Sequence, residues 1–279
     1  MRDLAARHEL LSLNTATVRE RWNLPQIIEG CARHGIRAIA PWRDQVAACG
    51  LEAAATLIRT HGLRVNGYCR GGMFPAADAA GRARAAEDNR RAVDEALALG
   101  AECLILVVGG LPPGSKDIAG ARQQVEDGIA ALLDYARPRD LPLAIEPLHP
   151  MYAADRACVN TLAQANDLCD ALGAGLGVAV DVYHVWWDPA LVPEIARAGR
   201  AGRILGFHVC DWLVPTTDLL LDRGMMGDGV IDIPRIRGWV EAAGYAGCVE
   251  VEIFSAANWW KRDPDEVLRV VRERVATVC

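Results

Sequence analysis

Three things are missing from this sequence: a long uncharged apolar run, a close cysteine pair and an excess of basic charge. No stretch approaches the roughly 18 to 20 apolar residues of a membrane-spanning helix, so no membrane span is expected. The N-terminal MRDLAARHELLSL has no apolar core ahead of a small-residue cleavage site, so no signal peptide is expected either. The nine cysteines are odd in number and never spaced CxxC. Several, Cys103, Cys210 and Cys248 among them, stand in apolar runs where cysteine acts as a small hydrophobe. Reduced thiols in a cytoplasmic protein are the expectation. A net charge of −6 and a pI near 5.6 suit a duplex poorly. Neither nucleic acid nor a membrane is an expected partner.

What is present is apolar material in a regular rhythm. Hydrophobic residues make up 52% of the chain, enough for a large core. Strand-like runs (ELLSLNT, IRAIAPW, LRVNGYCRGG, CLILVVGG, LPLAIEP, GLGVAVDVYH, RILGFHVCDW, GCVEVEIFS) alternate with helical patterns from end to end. The first helix, LPQIIEGCARHG, carries Pro25 early and Gly35 just past its end. Eight strands and eight helices in strict order, several strands apolar on both faces, predict a (β/α)8 TIM barrel. An open doubly wound sheet is the alternative, but no GxGxxG turn follows an early strand. No linker-like stretch breaks the rhythm, so one domain over residues 1–279 is expected.

In such a barrel the chemistry sits at the carboxyl ends of the strands. The fifth strand ends at Glu146, the sixth at Asp181 with His184 three residues on, and the seventh presents His208 and then Asp211. The eighth alternates Glu250, Val251, Glu252, with one glutamate expected to point inward and the other outward. Two glutamates, an aspartate and a histidine on successive strand ends would converge at the barrel mouth. Bare carboxylates in so small an apolar site repel one another until some take protons, and a divalent cation removes that conflict. Mixed oxygen and nitrogen donors without cysteine suit Mn²⁺ first, with Mg²⁺, Co²⁺ or Zn²⁺ as alternatives.

The stretches AIEPLHP, DVYHVWWDP, GFHVCDW, GDGVIDIPRI and EVEIFS, in this order and spacing, resemble the xylose isomerase-like TIM-barrel superfamily. Within it they resemble the sugar phosphate isomerase/epimerase branch. The likeness covers essentially the whole chain and is strongest from Glu146 onward. It implies that Glu146, Asp181, His208 and Glu252 hold one metal ion, with Glu146 and Glu252 as the acid/base pair. It further implies that His184 and Arg223, the latter in a glycine-rich DRGMMGDG loop expected to close over a ligand, contact the substrate. The ketose epimerases carry a second glutamate six residues after the first; here that position is Tyr152, so the substrate is read differently.

A metal beside two carboxylates suits proton transfer next to a carbonyl: one carboxylate removes the α-proton and the other returns it. The expected function is therefore metal-dependent isomerisation or epimerisation of a sugar or keto-sugar. The same chemistry followed by loss of a β-substituent, as in a dehydratase or lyase on keto-inositols or 3-keto-sugars, is the alternative. The apurinic-site endonucleases of the superfamily need extra histidines on strands three and four, which end here in NGYCRGG and LVVGG without one. Trp42 and Trp186 are candidate walls for a sugar, and Trp187, Trp212, Trp259 and Trp260 lie in the same loops. His149 is placed to orient Glu146 or to cap a loop. CRGG, with Arg70, and GGLPPGSKD could offer backbone N–H groups and a charge to an anion, but plain glycine loops without a ligand are the commoner reading of such stretches. A dimer or tetramer fits an enzyme of this kind.

Overall fold

The computed structural model describes all 279 residues. Strands β1 (Leu11–Asn14), β2 (Ala38–Ala40), β3 (Arg64–Val65), β4 (Tyr68–Gly72), β5 (Leu104–Val107), β6 (Leu143–Ile145), β7 (Leu176–Asp181), β8 (Ile204–Val209) and β11 (Val249–Val251) form one parallel sheet. A short antiparallel ladder, β9 (Asp211–Trp212) with β10 (Arg223–Gly224), lies outside it. The sheet runs from β3 through β2, β1, β11, β8, β7, β6 and β5 to β4. Its two ends are consecutive in the chain, and bridges from Trp42 to Cys69 and from Val65 to Ala101 draw them together. The predicted third strand is thus two pieces broken at Asn66–Gly67, and the eight-strand barrel has nine strand segments.

The outer ring contains α1 (Leu24–Arg33), α3 (Leu51–Thr60), α4 (Ala79–Leu99), α5 (Ile118–Ala136), α6 (Leu162–Leu172), α8 (Leu191–Arg200), α9 (Ile233–Ala242) and α10 (Pro264–Thr277). These are the eight helices expected from the sequence. Two short ones were not anticipated: α2 (Arg43–Cys49), ended by Gly50 at φ +89°, and α7 (Val182–Val185), a single turn after β7. Local chemistry explains the boundaries. At α1, Asn23 Oδ1 accepts from the Gln26 N–H at 3.1 Å while Gln26 Oε1 accepts from the Asn23 N–H at 3.0 Å. Asp78, Asp117, Thr161, Asp232 and Asp263 cap five of the others, each side chain accepting from the N–H three residues on, without the reciprocal bond.

Residue size along each strand alternates and decides what each face can do. Leu104, Leu106, Leu143, Ile145, Val178, Val180, Phe207, Val209, Val249 and Val251 point outward into the main core beneath the helices. The inward positions are small or polar. Ala40, Cys69, Cys103, Ile105, Ala144 and Ala179 form a separate plug inside the barrel. A Cβ on Gly206 would stand 3.0 Å from His208 Nε2, so only glycine leaves that imidazole its space. Above the small residues, two positions further along each strand, sit the side chains with chemistry.

Candidate active site

Glu146 follows β6 directly, and its N–H continues the ladder to the Leu106 carbonyl at 3.1 Å. Asp181 ends β7, where its Oδ1 also caps α7 by accepting from the Tyr183 N–H at 2.8 Å. His208 lies on β8, paired in register with Asp181 on one side and Glu250 on the other. Glu252 follows β11, its N–H on the Val209 carbonyl at 3.1 Å. All four are buried, and one ligand atom from each falls within 4.8 Å of all the others.

Both glutamates of EVE face inward, against the expectation that one would turn out. Side chains alternate with a period of two, so positions 250 and 252 must share a face. Glu250 is fully buried one layer below Glu252. Its Oε1 accepts from Asn14 Nδ2 at 2.8 Å and its Oε2 from Asn66 Nδ2 at 2.6 Å, with His208 Nε2 3.6 Å away. Asn14 Nδ2 also reaches Glu252 Oε1 at 2.9 Å. The sequence does not single out Asn14 and predicts that Glu250 or Glu252 faces outward, yet Asn14 and Glu250 both occupy inward strand positions that parity identifies.

The electrostatics call for a cation. Burial pushes Glu252 up to about 8 and Asp181 up to about 6, each against the pull of Arg223. For His208, burial opposes the charge, but Glu250 and Glu146 outweigh it and push the imidazole well above its ordinary value. His208 Nδ1 contacts Glu146 Oε1 at 2.8 Å, while its Nε2 is buried without a hydrogen-bond partner. Three carboxylates and one imidazole with such strained protonation fit a divalent ion that accepts oxygen and nitrogen donors.

Arg223 is already in place. Its Nη1 lies 3.0 Å from Glu252 Oε2 and 3.2 Å from Asp181 Oδ2, and its guanidinium covers the Tyr183 ring at 4.3 Å. The expected closing loop is in fact pinned: the Asp211 carboxylate accepts from the N–H groups of Trp212, Gly227, Gly229 and Ile231 at 2.9 to 3.0 Å. No loop closure is needed to bring Arg223 to the site. His184 is buried, and burial, reinforced by Arg223, holds it well below its ordinary value, so it is neutral. Its Nδ1 faces the His149 N–H at 3.3 Å, and its Nε2 stands between Arg223 Nη2 at 3.3 Å and Asp181 Oδ2 at 3.6 Å.

The cavity over this cluster is walled by Trp42, Ile105, Val107, Leu148, Tyr152 and Phe254, with Arg70 and Arg156 beside them. Two predicted contacts lie elsewhere. His149 does not line the cavity or touch Glu146; its Nδ1 caps a turn by accepting from the Met151 N–H at 3.3 Å, and its ring packs against Trp187 and Trp212. Trp186 is turned against Trp212, with centroids 5.8 Å apart. Of the tryptophans, only Trp42 lines the cavity, with Nε1 donating to Asn14 Oδ1 at 2.8 Å. Trp187, Trp259 and Trp260 pack where the indole N–H finds a carbonyl or carboxylate, whereas Trp186 packs on its ring faces alone, its Nε1 buried without a partner.

Comparison with known proteins agrees with this architecture. The family model described as a xylose isomerase-like TIM barrel matches residues 28–273. A crystal structure of a protein from Sinorhizobium meliloti 1021 superposes with a TM-score of 0.96 at 62% identity, over 98% of this chain and 99% of that one. An inosose isomerase of Bacillus velezensis is 24% identical over 285 residues, 96% of each chain. The IOLI protein with a bound zinc atom shares the fold at a TM-score of 0.82 and 20% identity, over 96% of this chain and 97% of that one.

Proposed function

The chain belongs to the xylose isomerase-like TIM barrel family, and from that premise we propose that it is a divalent-metal-dependent isomerase or epimerase acting on a sugar or a sugar-like keto compound. The observation that carries this reading is the convergence of Glu146, Asp181, His208 and Glu252 to within 4.8 Å at the barrel mouth. The likeness to an inosose isomerase supports a cyclic or open-chain polyhydroxy ketone as the substrate class. Mn²⁺ is the first expectation for the ion and Zn²⁺, the metal in the IOLI protein, the second.

Glu146, Asp181, His208 and Glu252 would hold the ion, which when bound supplies Lewis-acid stabilisation to negative charge developing on a substrate oxygen. The remaining work belongs to the side chains. Glu146 and Glu252 come from strands separated by β7 and β8, so they reach a substrate carbon from two sides. One removes the proton next to the carbonyl and the other returns it to the opposite face or to the neighbouring carbon. Arg223 and His184 line the same space side by side, and the Arg223 guanidinium donates to the oxygen that gains charge. The apolar walls exclude water from the exchanging proton.

The test is solvent deuterium incorporation with Mn²⁺-loaded enzyme across ketoses, keto-glycosides and keto-inositols. Label entering one carbon, with an isomer formed, is the expected result. Label entering with release of water would make the protein a dehydratase, and no exchange with any of them would remove the proton-transfer reading.

A further inference from the structure

Two arginines on the cavity wall have no role in the chemistry proposed above. Arg70 lies in β4 at the point where the register with β5 shifts, between Cys69 and Gly71, and it borders the cavity that Glu146 and Glu252 close from below. A bulge of this kind re-aims one side chain out of the strand's alternation. Arg156 reaches the same cavity from the loop after β6, its guanidinium 5.6 Å from the centre of the Tyr152 ring.

Neither has a counterion suited to its position. Arg70 is mostly shielded from solvent, and no hydrogen bond supports its charge; burial and the nearby Arg156 pull it below the ordinary arginine value. Arg156 meets only the neighbouring Asp155, at 3.9 Å, and that carboxylate is itself exposed. Arginines close by are treated differently. Arg43 is held by Asp88 and Glu95, each at 2.8 Å, and Arg19 by Asp44. Glu146 attracts Arg70 across the cavity, but its contact is with His208, and Arg223 faces Asp181 and Glu252. Two like charges brought to one wall of a mostly apolar cavity, without a partner, leave an anion's place open.

We propose that Arg70 and Arg156 form an oxyanion subsite on the solvent side of the cavity, so that the substrate carries a carboxylate or a phosphate ester away from the carbon at which the proton moves. The inference rests on the reading of the site as a sugar isomerase, and it narrows the substrate from a neutral polyol ketone to an anionic one. A planar guanidinium pair binds either group through charge-assisted hydrogen bonds. The outer wall thereby orients the substrate while its far end meets Glu146 and Glu252.

The experiment is titration calorimetry of the Mn²⁺-loaded protein with D-fructose, D-fructose 6-phosphate and 2-keto-D-gluconate, in wild type, Arg70→Met and Arg156→Met. Thermal melting checks that each variant folds, and Arg156, half exposed, gives a second variant should Arg70→Met be unstable. At least one of the two anions is expected to bind tenfold or more tightly than fructose. Each substitution should remove most of that advantage and leave fructose unchanged. Which anion keeps the arginine dependence tells carboxylate from phosphate. Anions that bind no better than fructose overturn the proposal, as does anion binding indifferent to both substitutions, which would place the anion on the metal. Loss in one variant alone overturns the pairing. Arginine-dependent binding without deuterium exchange would sink the isomerase reading and spare the subsite; exchange in neutral ketoses without such binding would do the reverse.

Discussion

Glu250 and Glu252 share one hydrogen-bond donor: Asn14 Nδ2 stands 2.8 Å from Glu250 Oε1 and 2.9 Å from Glu252 Oε1. The upper glutamate faces the cavity, and the lower lies beneath it against Asn66 and His208. The lower one therefore acts on the site through the side chains it orients. Replacing Glu250 by Ala would leave Asn66 Nδ2 without its acceptor, Asn14 Nδ2 with Glu252 alone, and the His208 imidazole without the nearby negative charge. Breaking a buried charged network of this kind costs about 3–5 kcal/mol. Metal affinity should fall by roughly 10- to 100-fold, the usual scale for a group that orients a ligand. Denaturant unfolding and a competitive metal titration measure the two effects. An unchanged metal affinity would show that Glu250 only packs.

Glu146→Gln and Glu252→Gln should each lower turnover at least about 100-fold, the scale of a lost general acid or base. Both residues also belong to the cluster expected to hold the ion, so metal content is measured first. A metal-loaded Glu252→Gln enzyme with wild-type turnover would rule out two-carboxylate proton exchange.

Stability should depend on pH and metal with opposite signs. Burial raises Glu252 from its usual 4.5 to about 8 and Asp181 from 3.8 to about 6 in the folded chain. The folded state then binds more protons than the unfolded one, so metal-free protein loses stability as pH rises from near 4.5 towards 8. A bound divalent ion needs these groups deprotonated, so its stabilising effect should grow over the same interval. Melting curves at about pH 5.5, 6.5 and 7.5, all inside that window, with chelator and with Mn²⁺, decide this. A metal-induced rise in Tm that shrinks with pH would contradict the ligand assignment.

Asp211 holds four backbone N–H groups and through them the loop that carries Arg223. In Asp211→Ala those donors lose their acceptor, and each unsatisfied buried group costs about 1–3 kcal/mol. Turnover should drop while metal affinity stays near wild type, because none of the four clustered ligands rests on this loop. Equal losses in both would mean that the loop supports the metal site as well.

By the family resemblance Tyr152 takes the place of a second acid in ketose epimerases, and its hydroxyl donates to the Leu219 carbonyl at 2.5 Å. The ring edge, not the hydroxyl, is then what the cavity offers. A substrate with a bulkier or less polar group on that side, such as a 3-keto glycoside, should be preferred over a free ketose. Tyr152→Phe should change kcat/KM by less than about tenfold, one lost neutral hydrogen bond, and Tyr152→Glu should shift preference towards the free ketose. A free ketose that wins in wild type and is unaffected by Tyr152→Glu would show that this side chain does not read the substrate.

Strand and helix order were legible in the sequence because each unit announces itself locally. Apolar runs such as CLILVV cannot face water on either side, and helices such as that after Asn23 carry their own caps. The residues at the strand ends were legible for the same reason: Glu146, Asp181, His208 and Glu252 are acids and an imidazole where an apolar run stops. The inward turn of Glu250 was equally implied by two-residue alternation. Other features depend on distance across the barrel, which no local pattern encodes. Asn14 meets Glu250 over 236 residues and Arg223 meets Asp181 over 42. His149 and Trp186 stand in the right loops yet turn towards Trp212, because burying aromatic faces against one another outweighed exposing them to the cavity. Arg70 stood out in the sequence only as part of a glycine-rich CRGG, and Arg156 not at all. Only the bulge in β4 and the loop after β6 put the two uncompensated charges on one wall, since charge compensation is a property of neighbours in space.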